Sequence, residues 1–104
     1  MNESYTKSEL TREQVDALPG PTLLEFGTNW CGHCRAAQPR ITAAVAQLRH
    51  LRIEDGPGRR LGRSFQVKLW PTLVFLSDGV ERARLVRPPG IPAIEDALKQ
   101  IDPP

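Results

Sequence analysis

The sequence predicts a three-layer α/β domain: a central mixed sheet of four to five strands flanked by helices. Three observations predict it. Short apolar runs of strand character alternate with segments of helical periodicity. The last two strand candidates are joined by Ser77-Asp78-Gly79, a hairpin turn signal. The chain has 104 residues and no stretch that reads as a linker, which suits one core and one domain over 1–104.

Thr11 opens the first helix. Thr11-x-x-Gln14 is a capping-box pattern, Val15 and Leu18 supply an apolar side, and Pro19-Gly20-Pro21 stops it. Thr22 to Thr28 reads as a strand covered on both faces, because Leu23, Leu24 and Phe26 form a nearly continuous apolar run. A helix is expected from about Cys34 to Arg49, with Ala37, Ile41, Ala44, Val45 and Leu48 at helical spacing and Pro39 kinking it. Leu51 to Glu54 is a short strand candidate, and Arg59 to Gln66 a short helix weakened by Gly62. Thr72 to Leu76 and Val80 to Val86 form the hairpin, the second strand having the mixed faces of an edge. Pro92 can sit in the first turn of a final helix that carries Ile94, Ala97, Leu98 and Ile101 on one face.

Composition excludes several classes. Hydrophobic residues make up 39% and charged residues 25%, an ordinary globular balance rather than a disordered one. The net charge is +2, too even to indicate a nucleic-acid partner. Arg59, Arg60, Arg63 and Lys68 form a basic stretch that reads as a solvated face. The longest apolar runs, 43–46 and 73–76, are far short of the roughly 20 residues of a membrane span. The N-terminal MNESYTKSEL is polar and lacks the apolar stretch of a secretory signal, so a cytoplasmic location is expected.

The chain has two cysteines, which excludes a disulfide framework. A structural zinc site needs four ligands, and beyond His33 between the cysteines the only other histidine is His50. No metal or cofactor is expected. The spacing Trp30-Cys31-Gly32-His33-Cys34 points elsewhere. Two intervening residues put both sulfurs within one helical turn, near enough to bridge. Cys31 would lie at the helix N-terminus, where the dipole and unpaired N–H groups stabilise a thiolate, the attacking species in disulfide exchange. Cys34, one turn in, would be more buried and would resolve the mixed disulfide. His33 can add positive charge beside Cys31, making the pair more oxidising; the blander reading is an exposed residue at the helix start.

These residues resemble the thioredoxin superfamily. The resemblance is carried by the Trp30–Cys34 motif, by Trp70-Pro71-Thr72 with Pro71 40 residues after Cys31, by Pro39 and by Gly79. The Gly-His insert is similar to that of protein disulfide isomerases, where typical thioredoxins have Gly-Pro. The resemblance implies a thioredoxin fold, a cis Pro71 beside the cysteines, and a substrate surface including Trp30, Gly32, Trp70, Pro71 and Arg87. It further implies that the backbone of Trp70 pairs with an extended substrate segment. Glu25 matches the family's buried carboxylate; in an apolar strand its pKa is expected to be raised, fitting it to take the Cys34 proton through water. Two departures stand out: Gly27 replaces an aromatic residue, and Arg87 stands where thioredoxins carry glycine.

The expected function is a thiol–disulfide oxidoreductase acting on disulfide-containing or dithiol protein substrates, with a reductase as electron donor and a monomeric state. The alternative is a thioredoxin-fold binding or chaperone-like module whose cysteines turn over little.

Overall fold

The computed structural model describes residue 5 and residues 10–45 and 48–101. The elements run α1 (Arg12–Asp16), β1 (Pro21–Gly27), α2 (Gly32–Ala44), β2 (Arg49–Glu54), α3 (Arg60–Ser64), β3 (Thr72–Ser77), β4 (Val80–Val86) and α4 (Ile91–Leu98). The strands form one mixed sheet in the order β2-β1-β3-β4. β1 pairs parallel to β2 and antiparallel to β3, and β3 pairs antiparallel to β4. The expected three-layer mixed sheet is therefore present, with four strands among the described residues. A further edge strand ahead of Thr11 would fall mostly on residues 1–4 and 6–9, outside the described ones.

Side-chain alternation along β1 builds two cores. Leu23 faces Leu73 and Phe75 of β3 together with Ala37 and Ile41 of α2 and Ile94 and Ala97 of α4. Leu24 and Phe26 face the opposite side, against Val15 of α1, Leu61 of α3, Phe65, Val74 and Leu76. Both β1 faces are thus covered, which is why its apolar run is continuous. Each large side chain fully withdrawn from water contributes roughly 1.5–3 kcal/mol. The same alternation puts Glu25 on the α2 side, in step with Leu23. In β2, Leu51 and Ile53 pack with the α1 and α3 core, which turns His50 and Arg52 toward Glu25.

The capping box is realised: Thr11 Oγ1 accepts from the Gln14 N–H at 3.1 Å, and Gln14 Oε1 accepts from the Thr11 N–H at 2.9 Å. The hairpin turn needs Gly79. Its φ is +80°, and a Cβ there would lie 1.9 Å from the Asp16 carbonyl oxygen. Several element boundaries differ from expectation, most of all those of α2 and α3. α2 begins at Gly32, because Cys31 itself serves as the N-cap. It ends at Ala44 rather than Arg49, since Arg49 and His50 are drawn into register with Thr22 and Leu23 in the parallel ladder. α3 covers only Arg60–Ser64, shorter than the sequence pattern suggests. Among the described residues no helix is long and apolar enough to cross a membrane.

Candidate active site

The site lies where β1 runs into α2. Cys31 is the N-cap, with extended backbone (φ −83°, ψ 120°), and its Sγ accepts the Cys34 N–H at 3.4 Å. An N–H aimed at sulfur favours negative charge there, as do the other free N–H groups of a helix start. Both cysteines are free thiols. Cys31 keeps 9% of its surface and Cys34 none, so Cys31 is the more accessible of the two. Burial, with the neighbouring Cys31, pushes the Cys34 thiol up to about 12, so Cys34 is a protonated thiol at neutral pH. Gly32 and His33 are exposed on the first turn of α2.

Trp30 is 74% exposed and meets Trp70 edge to face, with ring centroids 5.6 Å apart. Trp70 donates its indole N–H to Asp55 Oδ2 at 2.9 Å and packs against Cys31, Cys34 and Tyr5. The Trp70–Pro71 peptide bond is cis, and Pro71 is buried. Arg87 lies beside them in a left-handed conformation (φ 51°). Its backbone N–H donates to the Pro71 carbonyl and its Nε to the Trp70 carbonyl, each at 2.9 Å. The sequence motif residues are thus drawn together around the cysteines, with His33 on the solvent side.

Glu25 is fully buried on the other side of the pair. Its Oε1 meets His50 Nε2 at 2.7 Å and Arg52 Nε at 3.4 Å. Its Oε2 accepts from the Tyr5 hydroxyl and from Gln38 Nε2, the latter at 2.5 Å. The expectation of a raised pKa is corrected here. Burial does push it up, but the hydrogen bonds from His50, Tyr5 and Gln38 outweigh burial and hold the carboxyl below its ordinary range. Glu25 is therefore a carboxylate at neutral pH.

Five contributors escaped the sequence reading: Tyr5, Gln38, His50, Arg52 and Asp55. The sequence offers His50 only as a metal-ligand candidate; among the described residues no group suited to a metal ion occurs. A signal for Tyr5 did exist. Gly27 leaves a gap where an aromatic is usual, and the single tyrosine of the chain fills it. A Cβ on Gly27 would lie 2.6 Å from Cys34 Sγ and 2.8 Å from the Tyr5 hydroxyl oxygen.

Comparison with known proteins agrees with this geometry. A family model described as Thioredoxin matches residues 3–100. The solved structure of reduced thioredoxin 2 from Pseudomonas aeruginosa PAO1 is 54% identical, with a TM-score of 0.85, covering 97% of this chain and 96% of that one. Thioredoxin of Chlamydia pneumoniae is 33% identical over 82 residues, 74% of this chain and 80% of that protein. Human protein disulfide-isomerase A2 is 41% identical over 64 residues, 55% of this chain but 12% of that much longer protein. By its fold, by its dithiol at a helix N-terminus and by these matches, the chain belongs to the thioredoxin family.

Proposed function

We propose that the protein reduces disulfides in other proteins through Cys31 and Cys34. Members of the family are thiol–disulfide oxidoreductases, and the two cysteines here fit a dithiol active site. The Cys31 thiolate attacks one sulfur of a substrate disulfide, and the other leaves as a thiolate that takes up a proton. Cys34 then loses its proton and attacks Cys31 Sγ. The Cys31–Cys34 disulfide forms, the mixed disulfide breaks, and the substrate leaves with both its sulfurs reduced. Two electrons pass from the dithiol to the substrate, and a dithiol donor, in the cell a reductase or another reduced thiol protein, returns them.

The observation that carries this reading is the asymmetry of the pair. Cys31 sits at the helix N-cap under a donated N–H, while Cys34 is buried and protonated behind it. That asymmetry supports attack by Cys31 and resolution by Cys34. His33, Trp30, Gly32 and Pro71 belong to the surface a substrate approaches. A cytoplasmic setting accords with a reductase role. Reduction of insulin by dithiothreitol tests the proposal: the protein accelerates precipitation of the insulin B chain, and Cys31→Ser abolishes the acceleration. Activity retained in Cys31→Ser overturns it.

A further inference from the structure

Between Cys34, which must lose a proton, and Glu25, which can hold one, stands the hydroxyl of Tyr5. It donates to Glu25 Oε2 and accepts from Gln38 Nε2 at 3.1 Å. The bare Cα of Gly27 lets the hydroxyl and Cys34 Sγ meet, since the position a Cβ would occupy is 2.8 Å from one and 2.6 Å from the other. Tyr5 itself is only 6% exposed and lies in one buried cluster with Cys31 and Cys34. We propose that Tyr5 is a catalytic residue that relays the Cys34 proton to Glu25 as the mixed disulfide is resolved.

The step balances. The Cys34 S–H bond breaks and its proton passes to the Tyr5 oxygen, while the Tyr5 hydroxyl proton passes to Glu25 Oε2. The Cys34 sulfur forms its bond to Cys31 Sγ, and the substrate sulfur leaves with the electron pair of the broken S–S bond. The phenol is regenerated, and Glu25, a carboxylate at rest, holds the proton only in passing and yields it to the departing substrate thiolate. A phenol suits this role because it gives one proton as it takes another and carries no net charge. Burial and the neighbouring Glu25 hold the Tyr5 hydroxyl well above its usual range, so it does not persist as a phenolate. The groups facing the relay are Gln38 from α2, His50 and Arg52 from β2, and the cysteines. His50 and Arg52 gather on Oε1, leaving Oε2 to the relay. The family resemblance implies a bridging water in this position; the structure puts a side chain there.

The inference rests on the oxidoreductase reading and is tested with a chromogenic aromatic disulfide, 5,5′-dithiobis(2-nitrobenzoate). Mixed rapidly with the reduced protein, it releases one coloured thiolate when Cys31 attacks and a second when Cys34 resolves. Tyr5→Phe, which keeps the ring, slows the second release relative to the first by about tenfold or more, a part of the usual general-base contribution because water can enter. Glu25→Gln slows the same phase, and the double variant is no slower than the slower single, as for members of one chain. In the unaltered protein the second rate falls along a bowed line as deuterium replaces hydrogen in the solvent, which marks two protons in motion. An unchanged ratio of phases in Tyr5→Phe, slowdowns that multiply, or a straight deuterium line overturns the relay and leaves the oxidoreductase reading standing. Absence of a second release in the unaltered protein overturns both.

Discussion

Arg87 closes over the backbone of Trp70: its Nε donates to the Trp70 carbonyl at 2.9 Å, and its own N–H donates to the Pro71 carbonyl at 2.9 Å. On the proposed oxidoreductase reading, a substrate strand pairing with the Trp70 backbone meets a carbonyl that already holds a donor. An arriving donor competes with the guanidinium for that oxygen, whereas a glycine would leave the acceptor open.

Arg87→Gly is therefore expected to lower KM for insulin. One hydrogen bond is worth about 0.5–1.5 kcal/mol net, which corresponds to roughly twofold to tenfold in KM. Stability should hardly move. Relief of the left-handed backbone, about 1–2 kcal/mol, offsets the lost contact. Steady-state kinetics with thermal melting checks both points, and an unchanged or raised KM refutes the competition.

A second prediction concerns Gly27, whose conformation any residue could adopt but whose surroundings admit only hydrogen. A Cβ would press on Cys34 Sγ at 2.6 Å and on the Tyr5 ring and hydroxyl at 2.8 Å. Gly27→Ala is expected to cost about 1–3 kcal/mol, the usual penalty for overfilling a packed site. It should also push Tyr5 off Glu25, which would appear as a shifted environment for the single tyrosine in near-ultraviolet spectra. A melting temperature equal to that of the unaltered protein contradicts the packing argument.

Most of the scaffold was legible because period-two and period-3.6 patterns leave clear marks. β4 and the strand before Cys31 follow from alternation and continuous burial, and the α1 start from Thr11 and Gln14. The cysteine motif and Trp70-Pro71 are equally local. What stayed hidden is the support of Glu25, which depends on chain crossings. His50 and Arg52 reach it only because β2 lies parallel to β1 in one register, with Leu23 opposite His50 and Glu25 opposite Arg52. A one-residue slip would send both to the other face. Tyr5 comes from 20 residues away, out of a polar stretch with no periodicity. The pKa expectation failed for the same reason: the apolar run announces burial but not the donors that burial brings together.

Acid should reveal those donors. The carboxyl of Glu25 is held below its ordinary range in the folded protein. A depressed folded value means that the ionised form favours folding. This stability is fully present above the unfolded value of about 4.3 and is lost as pH falls through the lower folded value. Tyr5, Gln38, His50 and Arg52 all face the group. Glu25→Gln is therefore expected to be less stable than the unaltered protein at pH 7, with the gap narrowing as pH drops below about 4. Urea unfolding at the two pH values measures it. A gap that stays constant would mean that the carboxylate charge contributes nothing.

His33 offers a test of what sets the redox poise. It lies on the first turn of α2, two residues past Cys31, exposed to solvent. A positive imidazolium there favours the thiolate of the reduced pair over the neutral disulfide, which raises the reduction potential. Proline is tolerated at this turn, since the N–H it removes has no partner within the helix. His33→Pro is expected to lower the potential, and a tenfold change in the equilibrium with glutathione would correspond to about 30 mV. Charge acts through solvent at such a site, so the difference should shrink in 1 M salt, where screening reaches only about 3 Å. A backbone effect of proline would survive the salt. A potential that stays the same or rises in His33→Pro removes His33 from the control of the pair, and a salt-independent drop reassigns its effect from charge to helix geometry.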